Sequence, residues 1–256
     1  MDCIIVTGAG SGIGKAAALD MAKKGFHVLC ISKSNRASDT AAQINKEGGS
    51  AESLIINLAD YSRVERELGG WLDLKRHNCY GIVLAAGVLG PRGPLEASSI
   101  NEWDNCFSIN VLGNLAVLQQ VLPNMIENQF GRIVFFGGGG AAYAYPMFPA
   151  YAASKISIVR ICENLHEDLK TKGNFAVVCL APGANDTEML KKIREAGAEV
   201  KTIVNIMEPV NFISSFILSQ NCNFSGSFVH VRDEWAIYLN SQNNLIENKW
   251  KLRRIE

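Results

Sequence analysis

The sequence predicts an α/β fold: a doubly wound parallel sheet of about seven strands with helices on both faces. Three observations carry this. Seven short apolar runs alternate with longer amphipathic stretches, as strand–helix–strand crossovers require. The runs are apolar at both alternating sets of positions, which suits strands covered by helices on both sides. A glycine-rich turn joins the first run directly to the first amphipathic stretch.

In chain order the strands are Cys3–Val6, His27–Ile31, Ala51–Ile56, Gly81–Ala85, Ile133–Phe136, Phe175–Leu180 and Ser227–Val231. The helical stretches lie near 12–24, 36–47, 61–76, 99–127, 150–171 and 209–218. The segment 133–154 holds 22 residues without a charge, long enough for a membrane helix. Gly137 to Gly140, Pro146 and Pro149 break a helix, however, so it reads as a buried strand, a glycine loop and a new helix start. No linker or internal repeat divides the chain, so residues 1–256 read as one domain. Residues 240–256 read as a polar C-terminal extension, at the surface or against a partner subunit.

Composition narrows the function. With 25 basic and 25 acidic residues, there is no basic excess for nucleic acid or for an anionic membrane surface. A small-molecule partner is expected. The seven cysteines are widely spaced with no Cys-x-x-Cys, and the four histidines lack metal-ligand spacing, so neither a disulfide framework nor a metal site is expected. Without a signal-peptide pattern, the expected location is cytoplasmic.

The turn Thr7-Gly8-Ala9-Gly10-Ser11-Gly12-Ile13-Gly14 has the strand-before, helix-after context of a dinucleotide phosphate loop. The free N–H groups and positive dipole end of the helix suit a pyrophosphate. After the second strand stands Ser32-Lys33-Ser34-Asn35-Arg36. An acid there would hold the ribose 2′-OH of NAD, whereas a cation attracts a 2′-phosphate. Lys33, helped by Arg36, therefore favours NADP, with NAD as the other cofactor considered.

Tyr151 and Lys155 are four residues apart and share a helix face. A free tyrosine, with a pKa of about 10, is a poor acid–base at neutral pH. A nearby lysine cation is expected to lower it. Such a phenol can protonate a ketone oxygen as hydride arrives from a nicotinamide, or accept the proton in reverse.

Together these features resemble the short-chain dehydrogenase/reductase family, in its single-domain branch. The likeness covers nearly the whole chain. Thr7 to Gly14 is similar to the family's cofactor loop, and Tyr151-Ala152-Ala153-Ser154-Lys155 to its Tyr-x-x-x-Lys motif. Pro182-Gly183 with Thr187 resembles the segment that contacts the nicotinamide, and Asn110 the helix asparagine. The resemblance implies a Rossmann-type fold and a cofactor site formed by Thr7, Gly8, Gly10, Ser11, Gly12, Ile13, Gly14, Lys33, Asn57, Leu58, Ala86, Gly87, Tyr151, Lys155, Pro182, Gly183 and Thr187. It makes Tyr151 the acid–base, Lys155 its activator and ribose contact, and Asn110 the holder of a proton-relay water.

Three departures stand out. The family's serine, thirteen residues before the tyrosine, is Gly138 here. Tyr143, Tyr145 or backbone N–H groups of the glycine run are the candidates to replace its hydroxyl. Loss of such a donor can cost on the order of 10²–10³ in rate. The family's Asn-Asn-Ala-Gly reads Leu84-Ala85-Ala86-Gly87, and the aspartate after the third strand reads Asn57. A weaker likeness, to family members encoded among bacterial cell-surface sugar genes, rests on the glycine run and on His230 to Trp235. It implies a sugar or nucleotide-sugar substrate.

Residues 184–207 read as a substrate lid. Glu188, Lys191, Lys192, Arg194, Glu195 and Glu199 either face solvent or face a polar substrate. Val117, Leu118, Val121, Leu122, Ile158, Val159 and Cys162 either form core or pair subunits of a homo-oligomer, a dimer or tetramer. The expected function is an NAD(P)-dependent oxidoreductase on a carbonyl or secondary alcohol. The alternatives are a dinucleotide-binding regulatory or scaffold protein with lost turnover, and a sugar epimerase or dehydratase.

Overall fold

A computed structural model describes residues 1–75, 77–197, 200, 202–220, 222–239 and 250. The first half runs β1 (Asp2–Thr7), α1 (Gly12–Lys23), β2 (His27–Ser32), α2 (Arg36–Lys46), β3 (Ser50–Ile55), α3 (Tyr61–Lys75) and β4 (Asn78–Leu84). Then come α4 (Ile100–Phe107), a π-helical turn (Ser108–Gly113), α5 (Asn114–Glu127), β5 (Phe130–Phe136), the single turn α6 (Gly139–Ala142) and α7 (Pro149–Leu169). The last part is β6 (Asn174–Ala181), β7 (Ala184–Asn185), α8 (Glu188–Glu195), β8 (Ile203–Val204), α9 (Met207–Leu218), β9 (Ser227–His230) and α10 (Trp235–Leu239). Apart from Trp250, the C-terminal extension 240–256 lies outside the described residues, as does Glu199 of the lid.

All seven expected strands form one sheet, in the order β3-β2-β1-β4-β5-β6-β9, with every neighbouring pair parallel. Alternation in β1 sends Ile4 and Val6 to a core shared with α1, α2 and α9. It sends Cys3 and Ile5 to a second core shared with α3, α5 and α7. That double burial is why the strands are apolar at every position. β1 lies between β2 and β4, where the strand order reverses, so a crevice opens at the C-terminal ends of β1 and β4.

One reading is corrected here. Val117, Leu118, Val121, Ile158, Val159 and Cys162 are buried in the second core, and Leu122 packs against it, so they are not a subunit face. The continuous helix Ile100–Glu127, at 28 residues, is long and apolar enough by length and composition to cross a membrane. Its residues Val111, Val117, Leu118, Val121 and Met125 are instead buried in the second core.

Arg132 in β5 is fully buried. Among the described residues it meets no carboxylate. Its guanidinium donates to the carbonyls of Ser219 (2.8 and 3.0 Å), Gln220 (3.1 Å), Asn174 (2.8 Å) and Gly131 (3.1 Å), and to Asn174 Oδ1 (3.0 Å). The cation thus caps the C-terminal end of α9, where the helix dipole favours it.

Candidate active site

The phosphate-loop turn leaves β1 at the crevice and enters α1. Gly8 has φ of +68°. A β-carbon on it would stand 2.9 Å from the Ala86 nitrogen, so the turn requires glycine. A β-carbon on Gly14 would come 2.4 Å from the Gly8 carbonyl oxygen, so α1 seats directly on the loop. The loop opens on a cavity of about 840 Å³ lined by Gly8, Gly10 and Ser11 on one side and Ala86 and Gly87 on the other. This glycine cradle at a helix N-terminus fits a dinucleotide pyrophosphate.

Thr7 and Ile13 have other duties. Thr7 Oγ1 donates to Asn114 Oδ1 (2.8 Å) and accepts from the Ala86 N–H (3.0 Å). Asn114 Nδ2 donates in turn to the carbonyls of Ala86 (3.0 Å) and Asn110 (3.1 Å). Ile13 packs on the first core.

At the end of β2, Lys33 is exposed and lines the cavity. Arg36 lines it too, but its Nη1 donates to Glu188 Oε1 of α8 at 2.7 Å. Asn57 and Leu58 line the wall after β3. Asn57 Oδ1 accepts the Ala59 N–H at 3.3 Å. Leu58 fills the space over Gly113, where a β-carbon would stand 2.6 Å from the Leu58 Cβ.

The catalytic candidates sit on the first turns of α7. Lys155 is buried, and its Nζ donates to the Phe136 carbonyl at 2.9 Å. A β-carbon on Gly87 would lie 3.6 Å from that Nζ and 3.3 Å from Asn110 Oδ1, so both side chains stand beside Gly87 at the cavity wall. Burial lowers the Lys155 pKa to about 8. It raises the Tyr151 phenol above its ordinary range, with Tyr145 and Cys106 adding to the rise. The sequence expectation was the reverse for Tyr151. The Lys155 Nζ stands 5.6 Å from the Tyr151 ring centroid, and desolvation outweighs its field.

Asn110 is fully buried in the π-helical turn, a distortion frequent at functional sites. Its Oδ1 accepts the Val88 N–H (2.7 Å), and its Nδ2 donates to the Val88 carbonyl (2.9 Å) and Ser154 Oγ (2.9 Å). Ser154 Oγ donates to the Tyr151 carbonyl at 2.7 Å. The asparagine side chain thus clamps the segment after β4 to the tyrosine helix.

Gly138 has φ of +135°, and a β-carbon there would stand 3.2 Å from Tyr151 Oη. The Tyr145 ring lies edge-on to Tyr151, with centroids 6.5 Å apart. Tyr143 is 79% exposed, which sets it apart from Tyr145 as a pocket residue. Tyr145, Met147 and Tyr151 pack around Leu89 and Phe148 together with Met189 and Ile193 of α8. Helix α8 therefore turns an apolar side to the tyrosine, while Lys191, Arg194 and Glu195 face solvent.

Pro182 and Gly183 follow β6, and their carbonyls accept from Asn185 Nδ2 at 2.7 and 3.0 Å. Thr187 accepts the Leu190 N–H at 3.4 Å as the N-cap of α8. A β-carbon on Gly12 would lie 3.2 Å from the Thr187 methyl, so the N-cap of α8 lies over the phosphate-loop turn. Sequence reading missed Asn114 and assigned no role to Ser154. Asn114 carried a faint signal, lying one helical turn beyond Asn110.

Comparison with known proteins agrees with this geometry. Residues 2–198 match the family model for short chain dehydrogenases. The chain is 31% identical over 198 residues to the uncharacterized oxidoreductase Lmo0432 of Listeria monocytogenes, covering 77% of this chain and 79% of that one. It is 29% identical over 192 residues to 2,3-dihydro-2,3-dihydroxybenzoate dehydrogenase of Bacillus subtilis, covering 72% and 70%. A solved structure from Beutenbergia cavernae, provisionally described as an NAD(P) dependent gluconate 5-dehydrogenase with bound NADP, superposes with a TM-score of 0.82. It is 26% identical, covering 92% and 97% of the two chains. Family model, relatives and fold agree: the chain belongs to the short-chain dehydrogenase family.

Proposed function

We propose that this protein is an NAD(P)-dependent carbonyl reductase or secondary-alcohol dehydrogenase acting on a small polar molecule, a sugar derivative among the candidates. The observation that carries the reading is that Lys155 Nζ and Asn110 Oδ1 both stand beside Gly87 at the cavity wall, with Tyr151 on the same helix as Lys155. The glycine cradle supports a dinucleotide. Lys33 and Arg36 support NADP over NAD.

When bound, the nicotinamide supplies or takes the hydride. Tyr151 Oη moves the proton. Burial makes the phenol a weaker acid than free tyrosine, so its proton passes only as negative charge develops on the substrate oxygen beside it. Lys155 and Asn110 orient the tyrosine helix and the cavity wall. Tyr145 stands beside Tyr151 as the second hydroxyl that Gly138 does not provide.

The test follows absorbance of the reduced nicotinamide with a panel of ketones and nucleotide-sugars. Tyr151→Phe should lose roughly 10²–10⁴ in kcat while cofactor binding persists. Unchanged turnover in that variant refutes the assignment. A second reading, dinucleotide binding without turnover, is favoured by Gly138, which stands where the family's serine is expected. Saturable cofactor binding with no turnover on any substrate would select it. A homo-oligomer is part of the proposal, with Leu112 (48% exposed) and Ile156 (36%) as its apolar contacts. Light scattering that gives a monomer mass refutes that part.

A further inference from the structure

At the end of the sheet opposite the cavity, three residues distant in sequence come together. His27 opens β2, Glu52 lies in β3, and His77 stands between α3 and β4. One ligand atom from each can be chosen so that all three lie within 4.8 Å of one another. His27 is 5% exposed, and its Nε2 is buried with no hydrogen-bond partner among the described residues. Its other nitrogen, Nδ1, is 2.8 Å from Ser50 Oγ. A ligating histidine commonly has this arrangement: one ring nitrogen bonded to an orienting group, the other left as a bare lone pair. A buried imidazole nitrogen without a partner is costly and calls for an explanation.

Glu52 is oriented as well. Its Oε2 accepts the Trp71 Nε1–H at 2.8 Å, and its Oε1 meets Lys75 Nζ at 2.9 Å. A carboxylate has about four lone-pair positions, so these two donors leave capacity for a cation. The rings of His27 and His77 stack with centroids 4.4 Å apart.

We propose that His27, Glu52 and His77 bind a divalent transition-metal ion of the zinc class, with water completing the shell. Two imidazoles and a carboxylate suit zinc, whose bonds of about 2.0–2.1 Å draw ligand atoms to roughly 3.4 Å from one another. Binding requires a small contraction, a tilt of His77 out of the stack, and withdrawal of the Lys75 ammonium from Glu52. Lys75 is 44% exposed and on the surface side, so it can swing into solvent. The ion would tie the starts of β2, β3 and β4 together, making the site structural and separate from the cofactor cleft.

The test uses the full chain after chelator treatment, titrated with zinc chloride by calorimetry and with cobalt(II) by visible absorption. We expect one equivalent bound, a raised Tm, and the intense d–d bands of a four-coordinate cobalt site. His77→Gln should weaken binding by at least about tenfold. Glu52→Gln, which keeps an acceptor for Trp71, should do the same. Lys75→Met should tighten binding by removing the competing cation, an outcome that a purely structural ion pair would not produce. Three results would each overturn the proposal: no saturable binding in wild type, binding unchanged in both His77→Gln and Glu52→Gln, or weaker binding in Lys75→Met.

Discussion

Gly138 lies against Tyr151: a β-carbon on the glycine would stand 3.2 Å from the tyrosine hydroxyl oxygen, on a backbone with φ of +135°. A side chain at that φ is strained by on the order of 1–3 kcal/mol. Placing a hydroxyl there with Gly138→Ser should therefore lower both Tm and kcat. A kcat above wild type would show that the loop can accept the serine after all.

Tyr145 and Tyr143 differ in placement and should differ in effect. Tyr145→Phe is expected to lower kcat with little change in cofactor affinity, while Tyr143→Phe should leave both near wild type. Equal effects of the two changes would remove Tyr145 from the site.

The Arg36–Glu188 pair joins the start of α2 to the start of α8, with side chains 53% and 62% exposed. At that exposure the pair is worth only about 0.2–1 kcal/mol. Glu188→Gln should free Arg36 and strengthen NADPH binding a few-fold at low salt, with NADH unaffected. Lys33→Asp should weaken NADPH selectively. Fluorescence titration of both cofactors decides; parallel changes for NADPH and NADH would refute a 2′-phosphate role.

Lys155 carries a pH signature. Its folded pKa of about 8 lies below the usual 10.5, so the folded state releases this proton first. The burden of a buried charge is fully present below pH 8 and is relieved as pH rises toward 10.5. Lys155→Met should therefore be more stable relative to wild type at pH 7 than at pH 10. Urea midpoints of the two proteins at both pH values test this, and a gap that widens with pH contradicts it.

Arg132→Met should destabilise the fold by several kcal/mol, since it strands buried carbonyls of Ser219 and Gly131. A loss under about 1 kcal/mol by urea denaturation would mean that water or backbone movement compensates.

The sheet and its phosphate loop were legible in the sequence because both follow local rules. Strand burial leaves an apolar run, and a tight turn leaves glycines. Contacts between distant segments leave no such trace. Val117 and Ile158 read equally well as core or subunit face, since both demand the same apolar spacing. Arg132 looks like an ordinary charge until β6 and the end of α9 surround it. The direction of the Tyr151 pKa depends on how deeply α7 is buried, which the Tyr-x-x-x-Lys spacing does not encode. Asn110 was picked out by resemblance, but its work as a clamp emerges only once Val88 and Ser154 are beside it.

The bonds among Thr7, Ala86, Asn114 and Asn110 have a kinetic consequence. They fix both walls of the crevice when the chain folds, so that ordering entropy is lost at folding rather than at association. The segment capped by Thr187 lies over the phosphate loop, so a bound dinucleotide would have to pass it on leaving. The residence time of the cofactor should then be set by how often α8 lifts away, and its rate of entry should be nearly insensitive to changes in the walls themselves.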